Sequence, residues 1–301
     1  MSIKNLDFSD GKELNLRDSK KITTSNHSKA PQTLIHGEAE IYDQFGNLLQ
    51  KKSNIILLGG RRFILEKLFN IELPADRKVT LNQLYNTNTT ESTDTTPGPL
   101  KKKEVCLWGV GRGGSGLTFG DVNVPAEKEF NLYDQIPMRY VSVENDLPDD
   151  VKKNYYLRVL YGNDGSIVQD EEDAKYIAYY LKKFEADPEL VINIGDQTYY
   201  PNITEDNLPT DWDTLIERKD VEMYIQLRLK LSVNDVREFY IETESIDNAR
   251  INELGIYFGY QPESATYSDY NSIEDFSKLT FNNEPLDDET KELNIIYRFY
   301  I

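Results

Sequence analysis

The stretch Val221–Ser232, VEMYIQLRLKLS, alternates apolar and polar residues from end to end. Val221, Met223, Ile225, Leu227, Leu229 and Leu231 fall on one side, and Glu222, Tyr224, Gln226, Arg228, Lys230 and Ser232 on the other. Side chains of a strand point to opposite faces with a period of two, whereas a helix would spread both sets around its circumference. The stretch therefore predicts a β-strand with one core face and one solvent face. It is well beyond the usual ~5–6 residues, long enough to be the spine of an antiparallel sheet buried on one side.

Downstream of this spine, REFYIETES (Arg237–Ser245) and RINELGIYFGY (Arg250–Tyr260) read as two further strands, followed by FSKLTF (Phe276–Phe281). ELNIIYRFYI closes the chain, with Leu293, Ile295, Tyr297, Phe299 and Ile301 alternating to the last residue. Upstream, QIPMRYVSVE (Gln135–Glu144) and NYYLRVLYG (Asn154–Gly162), with a turn at Asn163-Asp164-Gly165, read as a meander. Behind the acidic run Asp170–Asp173, AKYIAYYLKKFE fits helix or strand, and its three tyrosines favour strand. ELVINIGDQTYY (Glu189–Tyr200) is another strand and turn, and Thr210–Arg218 holds a helical turn or two. Near the start, EAEIYDQFGNLL (Glu38–Leu49) forms a hairpin with its turn at Gly46-Asn47 and a second strand from Leu48 to Ile56. Gly59-Gly60 breaks that strand. Arg61–Phe69 then carries Phe63, Ile64, Leu65, Leu68 and Phe69 at helical spacing, a short helix that plugs one end of a sheet.

The fold class that follows is mainly β: antiparallel sheets or a β-sandwich with a few short helices and long loops. Its length of 301 residues suits two compact units better than one. The organisation reads as an extended N-terminal arm (1–36), a β-hairpin plus helix (37–84), a low-complexity loop (85–103) and an antiparallel β body (104–301). A single domain joining 37–84 to the body is the alternative. The loop, YNTNTTESTDTTPGPLKKK, has almost nothing to bury.

Composition narrows the function. A net charge of −18 opposes sequence-independent nucleic-acid binding, which needs a basic surface to displace counterions, and opposes docking on anionic membranes. A wall along which DNA slides gains from the same charge. The single cysteine, Cys106, excludes an internal disulfide framework or a Cys-rich zinc site. No run approaches the ~20 apolar residues of a membrane-spanning helix, and MSIKNLDFSDGKEL lacks the apolar centre of a signal peptide. The expected place of synthesis and assembly is the cytoplasm.

EVCLWGVGRGGSGLTFGD (Glu104–Asp121) is the one stretch that resembles a catalytic motif. Gly109, Gly111 and Gly114 satisfy G-x-G-x-x-G after an apolar strand, but no helical period follows on which a pyrophosphate would sit. No Lys-Ser or Lys-Thr follows for a P-loop either. The glycines read instead as a loop leaving a buried strand, needed for positive φ or close backbone packing. His27 and His36 lie in the polar arm, Cys106 between Val105 and Leu107 reads as buried, and NDGSIVQDEED (Asn163–Asp173) lacks calcium-loop spacing. The expectation is no enzyme, no cofactor and no metal.

A resemblance is carried by NELGIY (Asn252–Tyr257), FSKLTF and the closing ELNIIYRFYI, which together are similar to the C-terminal β module of tailed-phage virion proteins of the tail-fibre, collar and neck kind. NIILLGGRRFILEKLF (Asn54–Phe69) and the region from WGVGRGG to IPMRY (Trp108–Tyr140) resemble parts of structural proteins of contractile-tailed phages of Gram-positive hosts. The resemblance implies a virion protein assembled in the host cytoplasm: a neck subunit (adaptor, stopper or collar) in a homo-oligomeric ring of six or twelve. Its partners would be portal and tail proteins, with DNA passing unbound and no membrane involved. The simplest adaptors are mainly helical, so a baseplate, fibre-attachment or receptor-binding component is the alternative. In that case aromatic side chains exposed on a groove would face a host glycan; the two tryptophans, Trp108 and Trp212, are too far apart in the sequence to be assigned to one groove. Candidates for the assembly interface are Ile3, Leu6, Phe8, Leu14 and Leu16, each filling a pocket on a partner as the arm orders on binding, together with Arg61, Arg62 and Arg112.

Overall fold

Leu293, Ile295, Tyr297 and Phe299 are buried and the residues between them half-exposed, so the closing alternation becomes a strand, Leu293–Tyr300, with one face on the core. The computed structural model describes residues 35–71, 103–116, 120–129, 131–152, 154–194, 197–199, 221–232, 234–260, 271–288 and 290–300. Fourteen strands lie among them: β1 (His36–Asp43), β2 (Leu48–Ile56), β3 (Lys103–Gly111), β4 (Gln135–Ile136), β5 (Arg139–Ser142), β6 (Tyr155–Tyr161), β7 (Ile167–Val168), β8 (Tyr176–Lys183), β9 (Glu189–Ile194), β10 (Gln197–Tyr199), β11 (Val221–Leu231), β12 (Arg250–Tyr260), β13 (Asn271–Pro285) and β14 (Leu293–Tyr300). Three α-helices accompany them: α1 (Leu58–Phe69), α2 (Asp149–Lys152) and α3 (Arg237–Thr243).

The strands hydrogen-bond in the order β10-β9-β11-β14-β1-β2-β13-β12-β3-β8-β6-β7, with β4 on β3 and β5 on β8. Every described pairing is antiparallel. The hinge of this sheet is β2. Its residues Leu48–Asn54 pair with β1, whereas Ile55 and Ile56 pair with Lys278 and Ser277 of β13. At this corner the sheet turns over and its two halves face each other. Phe276 of β13 meets Phe299 of β14 edge-on at 5.2 Å, and the Tyr297 hydroxyl donates to Ser277 Oγ at 2.9 Å. Ile41, Leu227, Leu229 and Ile295 from one half and Trp108, Val110, Leu254 and Phe281 from the other share a single core. A smaller cluster with Leu107, Tyr156, Tyr180 and Leu181 lies on the other face of β3, β8 and β6. Residues 33–301 form one compact unit.

Several expectations need correction. The spine strand is present, but its solvent face is partly covered because β11 lies inside the sheet between β9 and β14. Gln226 is 2 % exposed, donating to Glu189 at 3.1 Å and accepting from Arg298 at 3.2 Å, and Tyr224 packs on Tyr300. Met223, expected inside, is 43 % exposed. Arg237–Thr243 is helix α3, not strand. There Arg237 and Tyr240, three residues apart, turn inward, Tyr240 donates to the Arg250 carbonyl at 2.9 Å, and Glu238 forks onto Arg139. β2 ends at Ile56, and Gly59 and Gly60 lie in the first turn of α1, which starts at Leu58 rather than Arg61; a β-carbon at either glycine would run into the carbonyl oxygen of Asp275 or Phe276. His36 belongs to β1, stacked on Tyr300 at 4.7 Å, rather than to the arm, and Lys103 belongs to β3 rather than to the loop. The run 174–185 resolves into strand β8. His27, Trp212, Thr210–Arg218 and the rest of the low-complexity loop lie outside the described residues.

Candidate functional site

Helix α1 sits across one open end of the folded sheet. Phe63 anchors it, 4.6 Å from Phe258 and 6.2 Å edge-on from Phe276. The helix ends at Asn70, in the left-handed region at φ 50°, with its N–H on the Glu66 carbonyl. Two arginines at the N-terminus oppose the helix dipole, and acidic neighbours offset them. Arg61 pairs with Glu127 at 2.6 Å, while Arg62 pairs with Glu274 and reaches Glu66 at 3.5 Å. Lys103 completes the buried network, 3.3 Å from Glu274 and 3.7 Å from Glu66. Burial pushes the Glu274 carboxyl up, against the pull of Lys103 and Arg62.

Between α1, β3, β11 and β14 the two halves leave a cavity of about 500 Å³. Phe276 and Phe299 contribute its aromatic surface, Ile64, Phe184 and Ile225 its walls, with Lys67 and Lys183 among the lining residues. Cys106 also lines it, and burial raises its thiol to about 12, so the sulfur stays protonated and is a poor nucleophile. Beside the cavity, the outer side of α1 is apolar and open to solvent: Leu65, Leu68 and Phe69 are all more than half exposed, and Leu58 and Ile71 extend the strip. Together these residues leave an apolar strip along the exposed side of α1.

A second cluster holds the described residues of the segment 112–134 against the outer face of β12 and β13. Glu253, fully buried, accepts backbone N–H groups from Tyr133 at 2.6 Å, Asp134 at 3.1 Å and Gly113. Asp275 accepts the Asn131 N–H at 2.8 Å, and burial raises its carboxyl to about 6. Lys278 donates to the Asn131 carbonyl at 3.0 Å and lies over the Tyr133 ring, with Glu129 3.6 Å away. Burial pulls the Lys278 ammonium down. The Gly-rich motif thereby has a structural role: a β-carbon on Gly114 would strike the Asn252 carbonyl, and neither Gly109, Gly111 nor Gly114 has a positive φ. Close approach of neighbouring atoms, rather than a positive φ, accounts for glycine at these positions.

The family model that matches this chain is a family of unknown function (DUF7208), over residues 65–274. The chain belongs to that family. Its DUF7208 region runs from the second half of α1 to Glu274 in β13, taking in much of the cavity wall, the segment 112–134 and Glu253, and leaving out β1, β2 and β14. No curated protein and no solved structure matches the chain.

Of the interface candidates named from sequence, Arg61, Arg62 and Arg112 are brought into ion pairs within the chain. Arg112 bridges Asp134 at 2.8 Å and Glu244 while lying 5.5 Å from the rings of Phe239 and Tyr240. Ile3, Leu6, Phe8, Leu14 and Leu16 lie outside the described residues. Trp108 is fully buried and offers no face to a sugar. Among the described residues no group of three or more His, Cys, Asp or Glu is placed to hold a metal, and no helix is long and apolar enough to cross a membrane. Sequence reasoning missed Glu253, Asp275 and Lys278. Their one signal was charge inside otherwise apolar strands.

Proposed function

We propose that this protein is a structural subunit of a tailed-phage virion, of the neck kind that joins portal to tail, and that it forms a ring of six or twelve copies around the DNA path. The resemblance of its strand motifs to virion proteins supports this reading, and the observation that carries it is the exposed apolar strip of α1 beside an apolar cavity. A chain working alone gains nothing from leaving Leu65, Leu68 and Phe69 in water, whereas an assembling subunit buries them. Portal-side and tail-side virion proteins are its further partners, and DNA passes without specific binding. The test is native mass spectrometry with electron microscopy of the purified chain. A closed ring of six or twelve is expected, and a chain that stays monomeric at every concentration overturns the reading.

A further inference from the structure

We propose that the cavity beside α1 is filled by a second copy of this chain, which inserts the tip of its β1–β2 hairpin, so that copies join head to tail. The inference deepens the ring reading above and rests on it for the existence of a homo-oligomer.

The tip is ordered, and what it presents is apolar. Asp43 Oδ1 accepts the backbone N–H groups of Phe45 at 2.9 Å and Asn47 at 2.8 Å, and Oδ2 accepts from Asn47 Nδ2 at 2.8 Å. The Gly46 N–H donates to the Asp43 carbonyl at 3.1 Å, and Gly46 takes a φ of 83° that favours glycine. This network fixes the turn, yet Phe45 at its apex is 80 % exposed and Leu48 behind it 52 %. A rigid turn loses little further freedom on docking. An aromatic anchor entering a pocket is also the kind of contact that dominates interface energies.

The cavity suits that anchor. About 500 Å³ accepts a phenyl ring with a leucine beside it, and Phe276 and Phe299 provide aromatic contacts for the incoming ring. Of the lining charges, Lys103 is already paired with Glu274 and Glu66, and Lys67 and Lys183 stand against Glu104 and Asp187, an even balance that carries no excess of negative charge toward the Asp43 turn.

Placement keeps the tip away from the cavity of its own chain, so a tip that fills the cavity comes from another copy. β1 starts at His36, stacked on Tyr300 beside the cavity-lining Phe299, and ends at Asp43. Its eight residues carry the tip roughly 25 Å away at ~3.3 Å per residue. Knob and hole are thus different patches at opposite ends of one hairpin. A contact between them is heterologous, repeats from copy to copy and closes into a ring when the rotation allows.

The test is native mass spectrometry of the full chain, the Phe45→Asp variant, the Ile225→Glu variant and an equimolar mixture of the two variants. The wild type should assemble and each variant alone should be monomeric. The mixture should stop at dimers, because only the intact tip of one variant and the intact cavity of the other remain. Phe45 is exposed, so its variant should melt as the wild type does. Ile64→Glu replaces Ile225→Glu as the cavity variant if the latter unfolds. A Phe45→Asp chain that keeps the wild-type oligomer overturns the inference and leaves the ring reading standing, and a mixture that yields only monomers also overturns it. A wild-type chain that never assembles overturns both.

Discussion

Asp275 is held under the segment 112–134 with one backbone N–H donor and Lys278 for company, and burial raises its carboxyl to about 6. The folded chain therefore holds a proton there between pH ~4 and ~6 where an unfolded chain would not. A raised carboxylate stabilises the fold as pH falls through that window and weakens it above, by up to ~2–3 kcal/mol. Asp275→Asn should raise the melting temperature at pH 8 and flatten the slope between pH 4 and 6. An unchanged slope would show that Asp275 is not the group responsible. Glu253 and Glu274 are raised by burial as well and add to the same trend. Gln226 presents the opposite problem, a polar side chain with good partners. Its alternating position assigns it to solvent and a cost below ~1 kcal/mol for Gln226→Ala. Buried between Glu189 and Arg298, it should instead cost ~1–3 kcal/mol, because its partners are left short of hydrogen bonds. Leu227→Ala, which opens a cavity in the core, should cost ~2–5 kcal/mol. Denaturant midpoints of the two variants check both values.

At the scale of the element, α1 is a helix whose own sequence does little to start it: two glycines, no acid in the first turn and no side-chain cap. Packing on β13 supplies what propensity does not. Gly→Ala within a helix ordinarily stabilises by ~1 kcal/mol. Gly60→Ala should reverse that sign and destabilise by ~1–3 kcal/mol, since the new methyl meets the Phe276 carbonyl. A thermal melt above that of the wild type would show that the helix does not sit as closely on β13 as described. The described residues of 112–134 are the complementary case, kept in place because their N–H groups find Glu253, Asn252 and Asp275 beneath them. Buried backbone donors need partners, and here buried side chains of β12 and β13 provide them.

At the scale of the molecule, β2 joins two half-sheets into one core, and the chain as a whole carries a net charge of −18. In the proposed ring the wall facing the DNA should be net acidic, because repulsion keeps a sliding duplex from adhering. A reconstruction of the assembled ring whose lumen is electropositive would remove the argument from charge.

The sequence by itself determined the β class, the β1–β2 hairpin, the α1 helix and the alternating face of β14. In each of these, side-chain periodicity and turn residues agree with the tertiary environment. It determined little where the environment overrides the pattern. Arg237–Thr243 has β-favouring residues but is drawn into a helix by contacts from Arg139 and Arg250. Gln226 is covered because β11 has a neighbour on each side. The charges at Glu253, Asp275 and Lys278 are buried because a distant segment folds over them. The cavity was illegible for the same reason. Phe63, Ile225, Phe276 and Phe299 are far apart in the chain. Only the turn of the sheet at β2 brings them around one space, and no local periodicity records where a sheet folds.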